Sequence, residues 1–222
     1  VLLDDAGQRV VEDAGEMMLY VYRDAELRHH ALGVHRMPVP SGGYRMMVQV
    51  QDRSAHRFGV TRGALHVPAF ENENVHISGI RLAYDITPND TRQPFLARDD
   101  LRIIPNPSRT YTTGVPVYVY AEFYDLTPVD NRTSYRIEVS LESAEPGGNP
   151  IWRFLTALGR RQDNEGAVAF QVEDAGTTSS ASWYSSIDTT DLTSGGYILT
   201  IAVTDLTTNL TAERKVRFEL KG

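Results

Sequence analysis

Six histidines are the residues of this chain best suited to hold a metal ion or to move a proton near neutral pH. They are His29, His30, His35, His56, His66 and His76. His29 and His30 are neighbours in an extended pattern, so their side chains would point to opposite sides of a strand. His35, His56 and His66 could converge across a hairpin, but no carboxylate accompanies them at a convincing ligand spacing. The sequence therefore predicts scattered surface histidines and no metal site.

Acidic pairs and nucleophile motifs are the next candidates for chemistry. The carboxylate pairs are Asp4-Asp5, Asp99-Asp100 and Glu173-Asp174. A glycosidase needs two carboxylates about 5–10 Å apart across a cleft, and adjacency in sequence gives no evidence of that arrangement. The chain also lacks the Gly-x-Ser-x-Gly, Ser-x-x-Lys, His-Glu-x-x-His and phosphate-binding loop motifs. We predict no catalytic residue, no cofactor and no enzyme activity, and we expect solvated turns at the acidic pairs, with a bound calcium ion as the alternative.

One alternating segment, from Val117 to Tyr124, presents a face that could bind a partner. Its odd positions are all apolar, and its even positions carry the candidate binding residues Tyr118, Tyr120, Glu122 and Tyr124. Side chains two residues apart on a strand stand about 7 Å apart, and tyrosine joins apolar area to a polar tip. This row is either a binding stripe for a protein or a glycan, or a face that another part of the chain covers, or a sign of strand propensity alone.

Alternation of apolar and polar residues recurs along the chain and predicts half-buried antiparallel strands. In residues 135–141 and 197–203 every second residue is apolar, which places Val139 and Ile201 in a core. Clusters of Gly, Pro, Asn and Asp separate these segments, and no stretch keeps a helical period over three turns. Residues 151–159 fit either a short helix or a strand. We therefore expect an all-β fold of antiparallel β-sandwiches.

A repeated segment supports this architecture. The sequence Ser-Gly-Gly-Tyr occurs at residues 41–44 and again at 194–197. Around it, residues 29–67 align with residues 182–220 at a constant offset of 153, without a gap. The glycines permit the positive φ of a tight turn, and the tyrosine opens a strand with its ring toward the core. Two further positions are identical in both copies: Val50 and Val203, and Asp52 and Asp205. An aspartate at a strand end can accept hydrogen bonds from the amides of the next turn.

The two copies predict two tandem immunoglobulin-like antiparallel β-sandwich domains. Residues 1–70 would form a partial sandwich, truncated at its N-terminal side, and residues 71–222 a complete one. The segment 68–74 is polar and rich in turn-forming residues, which favours a boundary there. Because Val1-Leu2-Leu3 resembles a strand that has already begun, we expect the chain to be the C-terminal part of a longer polypeptide.

The composition excludes several classes of protein. Hydrophobic residues make up 41% and charged residues 23% of the chain, which is ordinary for a globular fold. The formal charge of −7 disfavours non-specific binding to nucleic acid or anionic lipid. No apolar run approaches the ~18 residues of a membrane span. The absence of cysteine removes disulfides, thiolate nucleophiles and cysteine-based zinc sites together.

Three motifs resemble the tail region of bacterial GWxTD-domain proteins. The first is Ile104-Pro105-Asn106-Pro107-Ser108, and the second is the strand from Val117 to Leu126, with its Tyr-x-Glu-x-Tyr-x-Leu pattern. The third is the hairpin that opens at Gly196-Tyr197 and closes at Asp205. The namesake Gly-Trp-x-Thr-Asp motif itself is absent. This resemblance implies a β-sandwich tail of a protein in the bacterial periplasm, cell envelope or extracellular space, and it supplies no catalytic residue.

These observations together predict a non-enzymatic structural or interaction module of an exported or envelope-associated bacterial protein. Its partner would be an envelope protein or other chains of an assembly, bound through sandwich edges or through the tyrosine-rich strand face. The alternative is an accessory carbohydrate-binding module of a larger enzyme. The sequence leaves the oligomeric state and the identity of the partner open.

Overall fold

A computed structural model describes residues 1–15, 20–23, 29–32, 34–52, 56–70, 74–89, 97–98, 100–144 and 170–222. Every regular element in these ranges is a strand, so the predicted all-β fold is confirmed. The strands are β1 (Leu2–Leu3), β2 (Arg9–Val11), β3 (Tyr20–Arg23), β4 (His29–Leu32), β5 (Gly42–Asp52), β6 (Arg57–Val67), β7 (His76–Ile77), β8 (Arg81–Pro88), β9 (Ala97–Arg98), β10 (Leu101–Pro105), β11 (Thr110–Thr112), β12 (Val117–Tyr124), β13 (Thr133–Ser143), β14 (Phe170–Gly176), β15 (Ala181–Ile187), β16 (Gly195–Asp205) and β17 (Thr211–Lys221). Across the same ranges, no helix has the length and apolar character needed to cross a bilayer. The helix-or-strand alternative for residues 151–159 lies outside the described residues.

The chain divides into two compact units. The first comprises residues 1–22 and 30–72, and the second comprises residues 23–29 and 73–222. In the first unit, β1, β2, β5 and β6 form a four-stranded antiparallel sheet in the order β2-β1-β5-β6. Strands β3 and β4 pair separately as a two-stranded sheet. Leu2 and Tyr44 are buried in this unit, at 1% and 7% exposure.

The second unit is a β-sandwich. One sheet has the order β15-β12-β8-β10-β9, with the short β7 also paired to β12. The other sheet has the order β11-β17-β16-β13-β14, in which β11 runs parallel to β17 and the remaining pairs are antiparallel. Tyr111 links the two layers, since its buried hydroxyl donates to the carbonyl oxygen of Ala83 over 3.1 Å.

One core lies between these sheets and follows the predicted alternation. The inward residues of β12 meet those of β13, β16 and β17, and Phe123 packs against Tyr135 with ring centroids 5.9 Å apart. Val139 and Ile201, which the alternation placed in a core, are 1% and 0% exposed. In β13 buried side chains alternate with more exposed ones, so the residues between the core positions lie on the outer face of the sheet. The sequence-based assignment of these faces is confirmed.

The two Ser-Gly-Gly-Tyr segments open hairpins of the same geometry. Gly42 at the start of β5 has φ +150°, and Gly195 at the start of β16 has φ +148°. Gly42 pairs with Val67, and Gly195 pairs with Leu220, which sits at the same offset. The β5–β6 and β16–β17 hairpins therefore share one register from their first residue pair. The glycines are needed here because side chains are disfavoured at such φ values.

A tyrosine anchors each hairpin at its start. The hydroxyl of Tyr44 donates to the carbonyl oxygen of Pro40 over 2.8 Å, and that of Tyr197 donates to the carbonyl oxygen of Thr193 over 2.7 Å. Both bonds reach back four residues. Tyr197 also stacks on Phe218, with ring centroids 5.6 Å apart. The repeated unit therefore includes the preceding loop as well as the two strands.

Replacing Tyr197 by phenylalanine should lower the free energy of unfolding of the second unit by about 0.5–1.5 kcal/mol, because the carbonyl of Thr193 loses a donor in a partly buried hydrogen bond. Tryptophan fluorescence in a urea titration measures this, since both tryptophans of the sequence, Trp152 and Trp183, belong to the second unit. Tyr44→Phe is the matched control and should leave that transition in place. An unchanged midpoint for Tyr197→Phe would show that its hydroxyl adds nothing to stability.

The two hairpins differ in the burial of equivalent apolar residues on their first strands, β5 and β16. Ile201 and Val203 of β16 are both 0% exposed, whereas the equivalent Val48 and Val50 of β5 are 40% and 55% exposed. In the second unit the opposing sheet covers this face. The first unit buries the start of its hairpin at Tyr44 and leaves the far end open.

Candidate functional site

The predicted binding residues lie on the outward face of β12. Tyr120, Glu122 and Tyr124 share this face because strand residues alternate in direction. The hydroxyl of Tyr120 donates to Oε1 of Glu122 over 2.9 Å, and the hydroxyl of Tyr124 donates to Oε2 of the same carboxylate. One carboxylate thus fixes two tyrosine rings. Hydrogen bonds to a charged acceptor are stronger than neutral ones, so these rings are held in defined positions.

Burial divides the four residues into two groups. Tyr120 is 2% exposed and Glu122 is 7% exposed, whereas Tyr118 and Tyr124 are partly exposed. Tyr120 belongs to a small apolar cluster on the outer side of the sheet, and Tyr118 packs against it. The other members of this cluster are Ala83, Ile86, Leu101 and Ile103. The centre of the tyrosine row is therefore part of the fold, and its two ends remain accessible.

Two short upstream segments hold the centre of the row. The amide of Ser78 donates to the carbonyl oxygen of Glu122 over 2.8 Å, and the amide of Glu122 donates to Oγ of Ser78 over 2.9 Å. The guanidinium of Arg81 lies over the Tyr120 ring, 5.7 Å from its centroid. Such a cation–π contact stabilises both groups. Neither residue was predicted, because Ser78 and Arg81 lie at the ends of the loop between β7 and β8, where no alternating pattern marks them.

Strand β15 adds a fifth residue to this surface. Tyr184 pairs directly with Tyr120, so its side chain stands on the same face, and it is 44% exposed. The period of two in residues 181–187 could have identified Tyr184 from sequence. We call this surface the tyrosine face and define it as Tyr118, Tyr120, Glu122, Tyr124 and Tyr184.

Ser78 and His76 are polar residues with described contacts near this face. The hydroxyl of Ser78 donates to the carbonyl oxygen of Gly79 over 3.2 Å. Nε2 of His76 lies 3.8 Å from Oδ2 of Asp125, beyond hydrogen-bond distance. A serine that donates to a main-chain carbonyl has no base to take its proton. The arrangement can present rings and hydroxyls to a ligand.

The remaining histidines are spread over the surface in the described ranges. His35 Nε2 lies 2.8 Å from Asp13 Oδ2, and both side chains are exposed. His56 and His66 are also exposed, and His56 has φ +52° at the turn between β5 and β6. Among the described residues, no group of three histidine, aspartate or glutamate side chains is placed to hold a metal ion. The side chains of His29 and His30 lie outside the described set.

Comparison with known proteins does not assign this chain to a family. Neither models of known protein families nor curated proteins give a match to this chain. The resemblance to GWxTD-domain tails therefore stays a prediction.

Proposed function

We propose that this chain is a non-enzymatic interaction module that binds a protein partner, with the tyrosine face as its main contact surface. The observation that carries the proposal is the clamp of two tyrosine hydroxyls on the carboxylate of Glu122. Rings held in place lose little conformational entropy on binding. Tyr118, Tyr124 and Tyr184 offer their exposed parts around the buried centre, and tyrosine is enriched at protein interfaces.

The proposal extends to an immunoglobulin-like fold for both units. Immunoglobulin-like sandwiches carry a tyrosine near the start of one strand whose hydroxyl bonds to the backbone a few residues upstream. Tyr44 and Tyr197 make that bond in the two copies. Domains of this kind often serve as spacers and binding modules at cell surfaces. Together with the GWxTD resemblance, this supports a place in the bacterial envelope or periplasm.

Site-specific photo-crosslinking tests the tyrosine face. A photoreactive phenylalanine analogue at position 118 should form an adduct with one envelope protein in a bacterial envelope fraction, identified by mass spectrometry. The same group at Val129, which is 53% exposed and lies in the turn between β12 and β13, is the control. Tyr118→Ala should then weaken binding of the purified partner by about tenfold or more, as truncation of an interface tyrosine does. Tyr120 is unsuitable for truncation because its burial ties it to stability.

Two outcomes would contradict the proposal. Equal adducts from positions 118 and 129 would show non-specific contact, and a partner whose binding ignores Tyr118→Ala would lie elsewhere on the chain. The carbohydrate-binding alternative rests on the same partly exposed rings, since sugars also stack on tyrosine. Binding to insoluble envelope polysaccharide that Tyr118→Ala abolishes would favour that alternative.

A further inference from the structure

The edge strands of the second unit are not equally protected. An edge strand presents unpaired N–H and C=O groups, and proteins shield it by short length, charged side chains, proline or bulges. Strands β9 and β11 have two and three residues, and β14 carries Glu173 and Asp174. Strand β15 has seven residues, Ala-Ser-Trp-Tyr-Ser-Ser-Ile, with no charge, proline or glycine. It is therefore the edge with the least protection among the described strands of this unit.

Strand β15 has a regular register and carries no charged residue. It pairs with β12 in an unbroken antiparallel register from Val117 opposite Ile187 to Phe123 opposite Ala181, without a bulge. Within the described ranges β12 is its only strand partner, and no described strand pairs with its other edge. Ser182 and Tyr184 are exposed, and no charged residue occurs between Asp174 and Asp188. An uncharged strand with a regular register and no described partner on its other edge is suited to strand addition.

Charge decides which partner this edge fits. The chain carries a formal net charge of −7, so two copies carry net charge of the same sign. The uncharged β15 is a stretch where two copies can meet without opposing like charges. A partner recognised through its own charges would find no complementary charge on this strand. These facts favour a second copy of the chain.

The sequence of β15 is compatible with antiparallel pairing to itself. With a twofold axis at position 184, Tyr184 of one copy lies opposite Tyr184 of the other, and Ser182 lies opposite Ser186. On the inner side, Trp183 lies opposite Ser185, and Ala181 opposite Ile187. Aromatic pairs and serine pairs directly across two strands stabilise a sheet, and no pair here joins two charges.

We propose that β15 pairs antiparallel with β15 of a second copy, with Tyr184 opposite Tyr184, to form a twofold dimer. One sheet then continues from β9 of one copy to β9 of the other. The Tyr120–Tyr184 pair of each copy becomes half of a row of four aromatic side chains. This inference deepens the proposed interaction role, since it names one sandwich edge and its partner. The closed twofold contact uses both copies of the edge and leaves none for further growth.

A charge-exchange experiment tests the pairing and its register. Sedimentation velocity over a concentration series should show a dimer for the unmodified chain and for Tyr184→Phe. Tyr184→Lys and Tyr184→Glu each place like charges opposite one another, so each should raise the dimer dissociation constant by about tenfold or more. An equimolar mixture of these two variants should dimerise again, because lysine then faces glutamate. Circular dichroism should be unchanged in all three variants, as Tyr184 is 44% exposed.

A second variant keeps the test decisive if the charged residues disturb the strand. The chain has no cysteine, so Tyr184→Cys introduces a single thiol. Two directly opposed strand residues lie within disulfide range, and mild oxidation should give a covalent dimer. Leu210→Cys, at a position 40% exposed and outside β15, is the control and should give no covalent dimer under the same conditions.

Three results would overturn the inference: a monomer at all concentrations, a dimer that neither charged variant weakens, or a mixture of charged variants that does not reassociate. None of these results affects the crosslinking outcome at position 118, which reports a different protein as partner. Failure of the dimer is therefore separable from failure of the proposed interaction function.

Discussion

Replacing Val203 by aspartate is expected to unfold the second unit. Val203 is 0% exposed and belongs to the core between the two sheets. Removing the buried side chain forfeits about 1.5–3 kcal/mol, and an unpaired carboxylate in its place costs several kcal/mol more. The sum approaches the roughly 5–15 kcal/mol by which a whole domain is stable. Tryptophan fluorescence and near-ultraviolet circular dichroism of the variant should both report an unfolded second unit at neutral pH.

The repeat supplies a matched control for this experiment. Val50 occupies the equivalent position in the β5–β6 hairpin and is 55% exposed. Val50→Asp makes the same chemical change in the same register and should alter the stability of the first unit by less than about 0.5 kcal/mol, as surface substitutions usually do. Far-ultraviolet circular dichroism in a urea titration measures this, since the first unit holds neither tryptophan. Equal damage from both variants would mean that the far end of the first hairpin is covered as fully as that of the second. If the Val203→Asp variant stays folded, Val203 of β16 does not lie in the core.

These paired valines show where sequence information about the fold ends. Alternation assigned the inward faces of β12, β13 and β16 correctly, because the direction of a side chain along a strand is a local property. The register of both hairpins also followed from the repeat, since glycine and tyrosine fix where each hairpin starts. Whether another sheet packs over that side chain is not a local property. Val50 and Val203 are the same residue in the same register, yet Val203 lies in the core between two sheets at 0% exposure and Val50 is 55% exposed.

For the candidate site, too, the sequence predicted the direction of the side chains but not their burial. The period of two placed Tyr120, Glu122 and Tyr124 on one face, and their shared hydrogen bonds follow from that placement. The burial of Tyr120 depends on side chains of β8 and β10, which reach the outer face only once the sheet is assembled. The bonds from Ser78 come from a segment without a recognisable pattern. The burial of Tyr120 and the hydrogen bonds from Ser78 therefore depend on long-range strand pairing, which local alternation does not predict.

Edge exposure is a third property that only assembled topology reveals. The residues of β15 alternate like those of any strand, and nothing in them states that one neighbour is missing. The strand order shows that β15 is at the end of its sheet among the described strands. The absence of charged residues then indicates an unprotected edge. The same residues in a central strand would be unremarkable, since internal strands need no protection.

Asparagine in place of Asp205 should destabilise the second unit by about 2–4 kcal/mol at neutral pH, because a buried charged acceptor loses its charge. The carboxylate is 1% exposed, and it accepts hydrogen bonds from the amides of Thr127, Thr207 and Thr208 over 2.8, 2.8 and 3.3 Å. Burial alone would disfavour the charged form, but these amide bonds outweigh it and lower the pKa of Asp205 below its ordinary value of 3.8. Urea titrations followed by tryptophan fluorescence measure the loss.

The lowered pKa fixes the pH range in which Asp205 matters. A carboxyl whose pKa is lower in the folded than in the unfolded state stabilises the fold fully above its unfolded pKa of about 4. That contribution is lost as the pH falls below this value toward the folded pKa. The difference between the unmodified chain and Asp205→Asn should therefore be constant from neutral pH to about pH 5 and should shrink below about pH 4.

The equivalent residue of the first hairpin again provides the control. Asp52 is exposed, so Asp52→Asn should leave the tryptophan transition and its pH dependence unchanged. An Asp205→Asn variant as stable as the unmodified chain at neutral pH would show that the charge of this carboxylate is not what the three amides require. In that case the shape of the side chain would suffice, since asparagine retains one carbonyl acceptor in the same position. A shrinking difference would instead establish that the ionised carboxylate joins the turn after β16 to the loop after β12.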